Sequence, residues 1–136
     1  MITAVDTNVL LDVLIGDDVH GERSRTALAR CEREGRVVLS DVVWSETIAA
    51  FPDRAEAVGK LSTLGMTFAA ANETAATLAG QAWRAYRKAG GPRTRILPDF
   101  IVGAHASAQA DRLLTRDRGF FRSYFADLTV LDPTAE

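Results

Sequence analysis

Short apolar runs alternate with longer stretches of helical period from one end of this chain to the other, and few architectures accept that alternation. Ile2–Val5 reads as a strand, and Asn8–Ile15 as a short helix stopped by Gly16. Gly21–Glu34 reads as a second helix, with Ser24, Ala27, Leu28 and Cys31 as its inward stripe and Gly35 as its stop. Val37–Leu39 follows as a strand. Ser40 or Asp41 caps a third helix through about Ala50, and Pro52 sits near the first turn of a fourth, with Asp53 beside it. Met66–Ala69 is a weaker strand. In Glu73–Ala89 the residues Ala75, Leu78, Ala79, Ala82, Trp83 and Tyr86 keep the i, i+3, i+4, i+7 rhythm until Gly90-Gly91-Pro92 ends it. A sixth helix runs from Pro98 to about Ala110, then a strand at Arg112–Thr115, a short helix at Gly119–Tyr124 and a last strand at Leu128–Leu131. Such alternation predicts one α/β domain over residues 1–136, a three-layer α/β/α arrangement with a parallel sheet covered on both faces. Ligands of such sheets sit beyond the carboxyl ends of the strands, at a switch point.

Composition agrees with one domain and removes several functions. The 136 residues are 47% apolar and 25% charged, enough for a core without staples. Cys31 is the only cysteine, so an internal disulfide and a cysteine metal cage are both excluded. No apolar run approaches the ~20 residues of a membrane span. Asp6 and Asp12 interrupt the first segment, where a leader would be apolar, so the expected compartment is the cytoplasm. A net charge of −2 is not that of a chain basic all over. Its cations are nonetheless 14 arginines against only Lys60 and Lys88. Guanidinium groups grip phosphate and stack on bases, so the skew permits a nucleic-acid role, although a biased genomic base composition would leave the same skew.

Most acids need no special function. Asp17, Asp18, Glu22, Glu32 and Glu34 fall on solvated helix faces or ends, and Asp12 is expected to share an exposed edge with Asn8. Four are out of place. Asp6 directly follows the first strand, and Asp117 follows the fourth by one residue, so both should emerge at the carboxyl edge of the sheet. Asp99 lies in the first turn of the helix that starts at Pro98. Glu46 has only Val42, Val43, Ala49 and Ala50 at i±3 and i±4, so it is expected to face inward. Buried unpaired carboxylates are costly, and four at one edge repel one another. Arginines such as Arg116 and Arg118 leave an ion-pair network open. A divalent cation is the other solution, and an oxygen-only set without histidine or cysteine suits Mg2+ or Mn2+ rather than Zn2+. His105 reads as a packed or half-exposed histidine. The sequence contains no GxSxG or HExxH motif to support hydrolysis by a triad or zinc.

AVDTNVLLDVL with Asp6, SETI with Glu46, LPDFIVGAHA with Asp99 and LLTRDRGFF with Asp117 together resemble the PIN-domain family, and more narrowly its VapC-type toxins. The similarity runs over essentially the whole chain. It implies a five-stranded parallel sheet, usually in a homodimer, and a Mg2+- or Mn2+-dependent endoribonuclease held inactive by a cognate antitoxin, with larger toxin–antitoxin assemblies as an extension. It implies Asp6, Glu46, Asp99 and Asp117 as the acidic site, with Asp6, Asp99 and Asp117 as metal ligands and Glu46 as a further ligand or general base. Asn8 and Thr115 are then groups that orient the carboxylates. Arg93, Arg95 and Arg116 are expected to hold RNA phosphates. Two other readings stay open. One is a phosphoaspartyl receiver or phosphatase, which the lack of any lysine after Lys88 disfavours. The other is a noncatalytic interaction module presenting Val9–Ile15 and Trp44.

Overall fold

The structure is a computed structural model that describes residues 1–135. Its elements are β1 (Ile2–Val5), α1 (Thr7–Ile15), α2 (Gly21–Glu34), β2 (Arg36–Leu39), α3 (Asp41–Ala49), α4 (Arg54–Thr63), β3 (Thr67–Phe68), α5 (Glu73–Lys88), α6 (Leu97–Gln109), β4 (Arg112–Leu114), α7 (Arg118–Tyr124) and β5 (Thr129–Leu131). The five strands form one parallel sheet in the order β3-β2-β1-β4-β5. The expected alternation therefore holds element by element, with ends that move by a residue or two.

Consecutive residues of the inner strands are all buried: Thr3, Ala4 and Val5 in β1, Val37, Val38 and Leu39 in β2, and Leu113 and Leu114 in β4. Successive side chains of a strand point to opposite faces, so both faces of the sheet are covered by helices. The α2 stripe holds at Ser24, Leu28 and Cys31, and the α5 stripe at Ala75, Ala79 and Tyr86. Small residues let α5 lie close against α6. On α6, Gly103 makes room for the residue after α7: a Cβ there would sit 2.3 Å from Cε2 of Phe125, so only glycine admits that ring.

An aromatic cluster supports the carboxyl edge. Phe100 is fully buried, with ring centroids 5.3 Å from Tyr86, 5.2 Å from Phe120 and 5.9 Å from Tyr124. Such edge-on pairs fix the residues that flank them in sequence, here Asp99 ahead of Phe100 and Asp117 ahead of α7. Val9 and Leu10 of α1 are fully buried in the core, whereas Ile15 at the end of the same run is exposed. Among the described residues no helix is long and apolar enough to cross a membrane.

β1 is the topological centre. From it the chain passes to β2 on one side, and β4 lies on the other, so the carboxyl ends of β1 and β4 flank the switch point. The ladder continues past both strands, with Asp6 N–H donating to Leu114 O at 2.9 Å and Thr115 N–H donating to Leu131 O at 2.9 Å.

Candidate active site

Asp6 and Thr115 stand at this switch point, one residue beyond β1 and β4. Asp6 is the N-cap of α1, with extended backbone, and its Oδ1 accepts from the Thr7 N–H at 2.8 Å. Its Oδ2 accepts from the Thr115 hydroxyl at 2.8 Å and from Asn8 Nδ2 at 3.3 Å. Thr115 is fully buried, and its Oγ1 also accepts from the Asp117 N–H at 3.0 Å. One threonine hydroxyl thus links the first and last acids of the set. Asn8 Oδ1 accepts from the Arg116 N–H at 3.2 Å, which ties α1 to the loop after β4. Asn8 and Thr115 thus both donate to the Asp6 carboxylate.

Glu46 arrives from α3. Its Oε1 accepts from the Thr7 hydroxyl at 2.6 Å, which brings it beside the start of α1. Glu46 does not face the core as its neighbours suggested. It is exposed, as are Ala49 and Ala50. Alanine is apolar without being a marker of burial, and α3 is short and lies at the sheet edge, so the apolar flanks misled. Asp99 is half-buried at the third position of α6, where its Oδ2 accepts from the Ile96 N–H at 3.0 Å. Asp117 is half-buried at the N-cap of α7, and its Oδ2 accepts from Arg95 Nη1.

The electrostatics show the crowding. The Asp6 carboxyl is pushed up to about 6 from 3.8, chiefly because its surroundings desolvate it. The bonds from Thr115 and Thr7 oppose that rise, and the charges of Glu46 and Asp117 add to it. Asp6 therefore feels the charges of both Glu46 and Asp117 across the edge. Arg95 lies among them as well: its guanidinium is held above its ordinary range by the bond to Asp117, and the Asp99 charge contributes. Its guanidinium carbon sits 4.3 Å from the Phe120 ring centroid.

Two other residues depart from expectation. Asp12 is buried at 5% exposure rather than lying on an open edge. Its Oδ2 accepts from Ser24 Oγ at 2.7 Å and from Arg116 Nε at 2.8 Å, and its Oδ1 accepts from Arg116 Nη2 at 3.1 Å. The i±3 test that singled out Glu46 would have found Asp12 too, between Val9 and Ile15. Arg116 thus has a partner the sequence did not signal, giving Nε and Nη2 to Asp12 while its side chain stays 28% exposed. Arg93 is exposed in the loop before α6. His105 is buried, with Nε2 unpartnered among the described residues, and burial pushes its imidazole below the ordinary range. Thr7, which fixes Glu46, and the Arg95–Phe120 stack have no local sequence signal.

The donor set offers oxygen alone, which fits a hard divalent cation. In this conformation no three Asp, Glu, His or Cys side chains among the described residues are grouped closely enough to hold one ion. A separate cleft of about 830 Å³ opens between α2 and the β5 edge, rimmed by Arg23, Arg30, Arg118 and Arg122.

Residues 3–126 match the family model described as PIN domain. The chain belongs to the PIN-domain family. Its fold is that of solved VapBC proteins. VapBC-1 from nontypeable Haemophilus influenzae is 21% identical, with a TM-score of 0.76 over 99% of this chain and 100% of that one. VapBC2 from Rickettsia felis, bound to a DNA fragment from its promoter, is 16% identical, with a TM-score of 0.76 over 97% and 98%. Mycobacterium tuberculosis VapC20, described as a sarcin–ricin loop cleaving toxin, is 18% identical, with a TM-score of 0.59 over 93% and 98%. No curated protein matches the chain. The five-stranded parallel sheet expected from the resemblance is the PIN sheet.

Proposed function

We propose that this PIN domain is the toxin of a toxin–antitoxin pair and a divalent-metal-dependent endoribonuclease. The observation that carries the reading is the Asp6 carboxyl at the β1–β4 switch point. Burial raises it to about 6 and the charges of Glu46 and Asp117 add to the rise, so a cation there would relieve both the desolvation and the repulsion. Family membership and the VapC-like fold support the ribonuclease and toxin assignments, and the sarcin–ricin loop cleavage ascribed to VapC20 makes structured RNA a fitting substrate.

Asp6, Asp99 and Asp117 would hold Mg2+ or Mn2+, with Glu46 at the open side. When bound, the ion polarises a phosphate oxygen and acidifies water. Thr115 and Asn8 keep the Asp6 carboxylate turned outward. Glu46, exposed and steadied by Thr7, is placed to take the proton from an attacking water. In-line attack on phosphorus would leave 3′-hydroxyl and 5′-phosphate ends. Arg93, exposed just ahead of Asp99, and Arg95 are the phosphate-contacting cations of this reading. The VapBC proteins among the similar structures support an antitoxin as the partner, and a homodimer is the assembly proposed with it.

The test incubates antitoxin-free protein and an Asp99→Asn variant with structured RNA and Mn2+, with and without EDTA. Cleavage by the wild type alone, abolished by EDTA, is expected. Cleavage that persists in the chelator or in the variant overturns the mechanism.

A further inference from the structure

Of Asp6, Glu46, Asp99 and Asp117, only Asp117 is ion-paired to a side-chain cation in the described residues. Arg95 reaches it from the loop between α5 and α6. That loop is pinned at its start, where Tyr86 OH donates to Pro92 O, and at its end, where Ile96 N–H donates to Asp99. Between those pins Arg93 and Thr94 are exposed, and Arg95 is the residue that turns inward onto Asp117 and the Phe120 ring. The pair is half-open, with side-chain exposures of 31% and 35%.

We propose that Arg95 is an internal counter-ion that a divalent cation must displace from Asp117 before the acidic site can close around it. This rests on the metal reading given above. Asp117 Oδ2 cannot give its lone pair both to a guanidinium and to a metal in the same direction. While Arg95 holds it, the acids are not grouped for one ion. The arrangement is also displaceable. A partly exposed pair is weak, and a doubly charged ion that gathers several carboxylates outcompetes one guanidinium. The Phe120 face gives the freed arginine a place to remain beside the site.

The experiment titrates Mn2+ by calorimetry, without RNA, into wild type, Asp6→Asn, Arg95→Ala, Arg95→Gln, Asp117→Asn and the Arg95→Ala/Asp117→Asn double variant. Losing the competitor should tighten Mn2+ binding about three- to fivefold in both Arg95 variants, the factor set by a half-exposed ion pair. In the Asp117→Asn background the Arg95 substitution should change nothing, because there is no pair left to break. Equal tightening in both backgrounds would mean simple through-space repulsion, and unchanged affinity would mean no competition; either overturns the proposal while leaving the metal site intact. Wild-type binding that is absent, or indifferent to Asp6→Asn, would overturn the metal reading itself.

Discussion

Replacing Asp6 by Asn should make the metal-free protein more stable at neutral pH, although it removes a residue at the heart of the site. The native carboxyl is raised to about 6 from 3.8, so the folded state binds a proton more readily than the unfolded chain. Stability supplied by that proton is complete below about pH 4 and is lost as pH rises through about 6, a difference of about 3 kcal/mol. Asparagine abolishes that loss and keeps the helix cap, since Asn caps as well as Asp. It costs something, because Oδ2 accepts from both Thr115 and Asn8, and an amide nitrogen there faces the Asn8 donor. That mismatch is worth about 1 kcal/mol. The net gain at pH 7.5 is therefore about 1–2 kcal/mol, or roughly 3–8 °C in Tm for a domain of this size. At pH 4 the gain reverses to a loss of about 1 kcal/mol. Thermal unfolding of both proteins in EDTA across pH 4 to 7.5 reads the crossing. A variant that is less stable by the same amount at every pH would refute a desolvated, raised Asp6 carboxyl.

Two further perturbations probe the supports of the site. Thr115→Val deletes the hydroxyl that donates to Asp6, an interaction that lowers its pKa, so the Asp6 carboxyl should titrate higher still by carbon-detected NMR; an unmoved titration would remove Thr115 from the orienting role. Asp12→Ala strands a guanidinium that is only 28% exposed and leaves the Ser24 hydroxyl without its acceptor, which should cost about 2–3 kcal/mol in denaturant unfolding; a loss below about 0.5 kcal/mol would mean that the pair is no more than a surface contact.

Elements with strong local signals were legible in the sequence. The Ile2–Val5 run, the glycine-stopped Gly21–Glu34 helix and the periodic Glu73–Lys88 helix lie where their patterns put them, because burial on a defined face wrote those patterns. Met66–Ala69 shrinks to Thr67–Phe68, an exposed edge strand whose pairing comes from β2 rather than from its own residues. At the site, Asp6 and Asp117 were legible because one directly follows, and the other comes shortly after, a strand that ends at the switch point. Glu46 was found for a partly wrong reason, since it meets Thr7 in the open rather than the core. Arg95 with Asp117, and Arg116 with Asp12, join residues 22 and 104 positions apart. Such pairings depend on tertiary placement, and neither partner carries a local mark of the other.

The account turns on whether the acids at the β1–β4 edge gather around one hard cation. Anomalous diffraction from Mn2+-soaked crystals of the antitoxin-free protein would decide it directly. A peak bonded to Asp6, Asp99 and Asp117, with Arg95 withdrawn from Asp117, is the predicted result. A protein that cleaves RNA in the same Mn2+ buffer, yet whose crystals carry no peak at that edge, would contradict it.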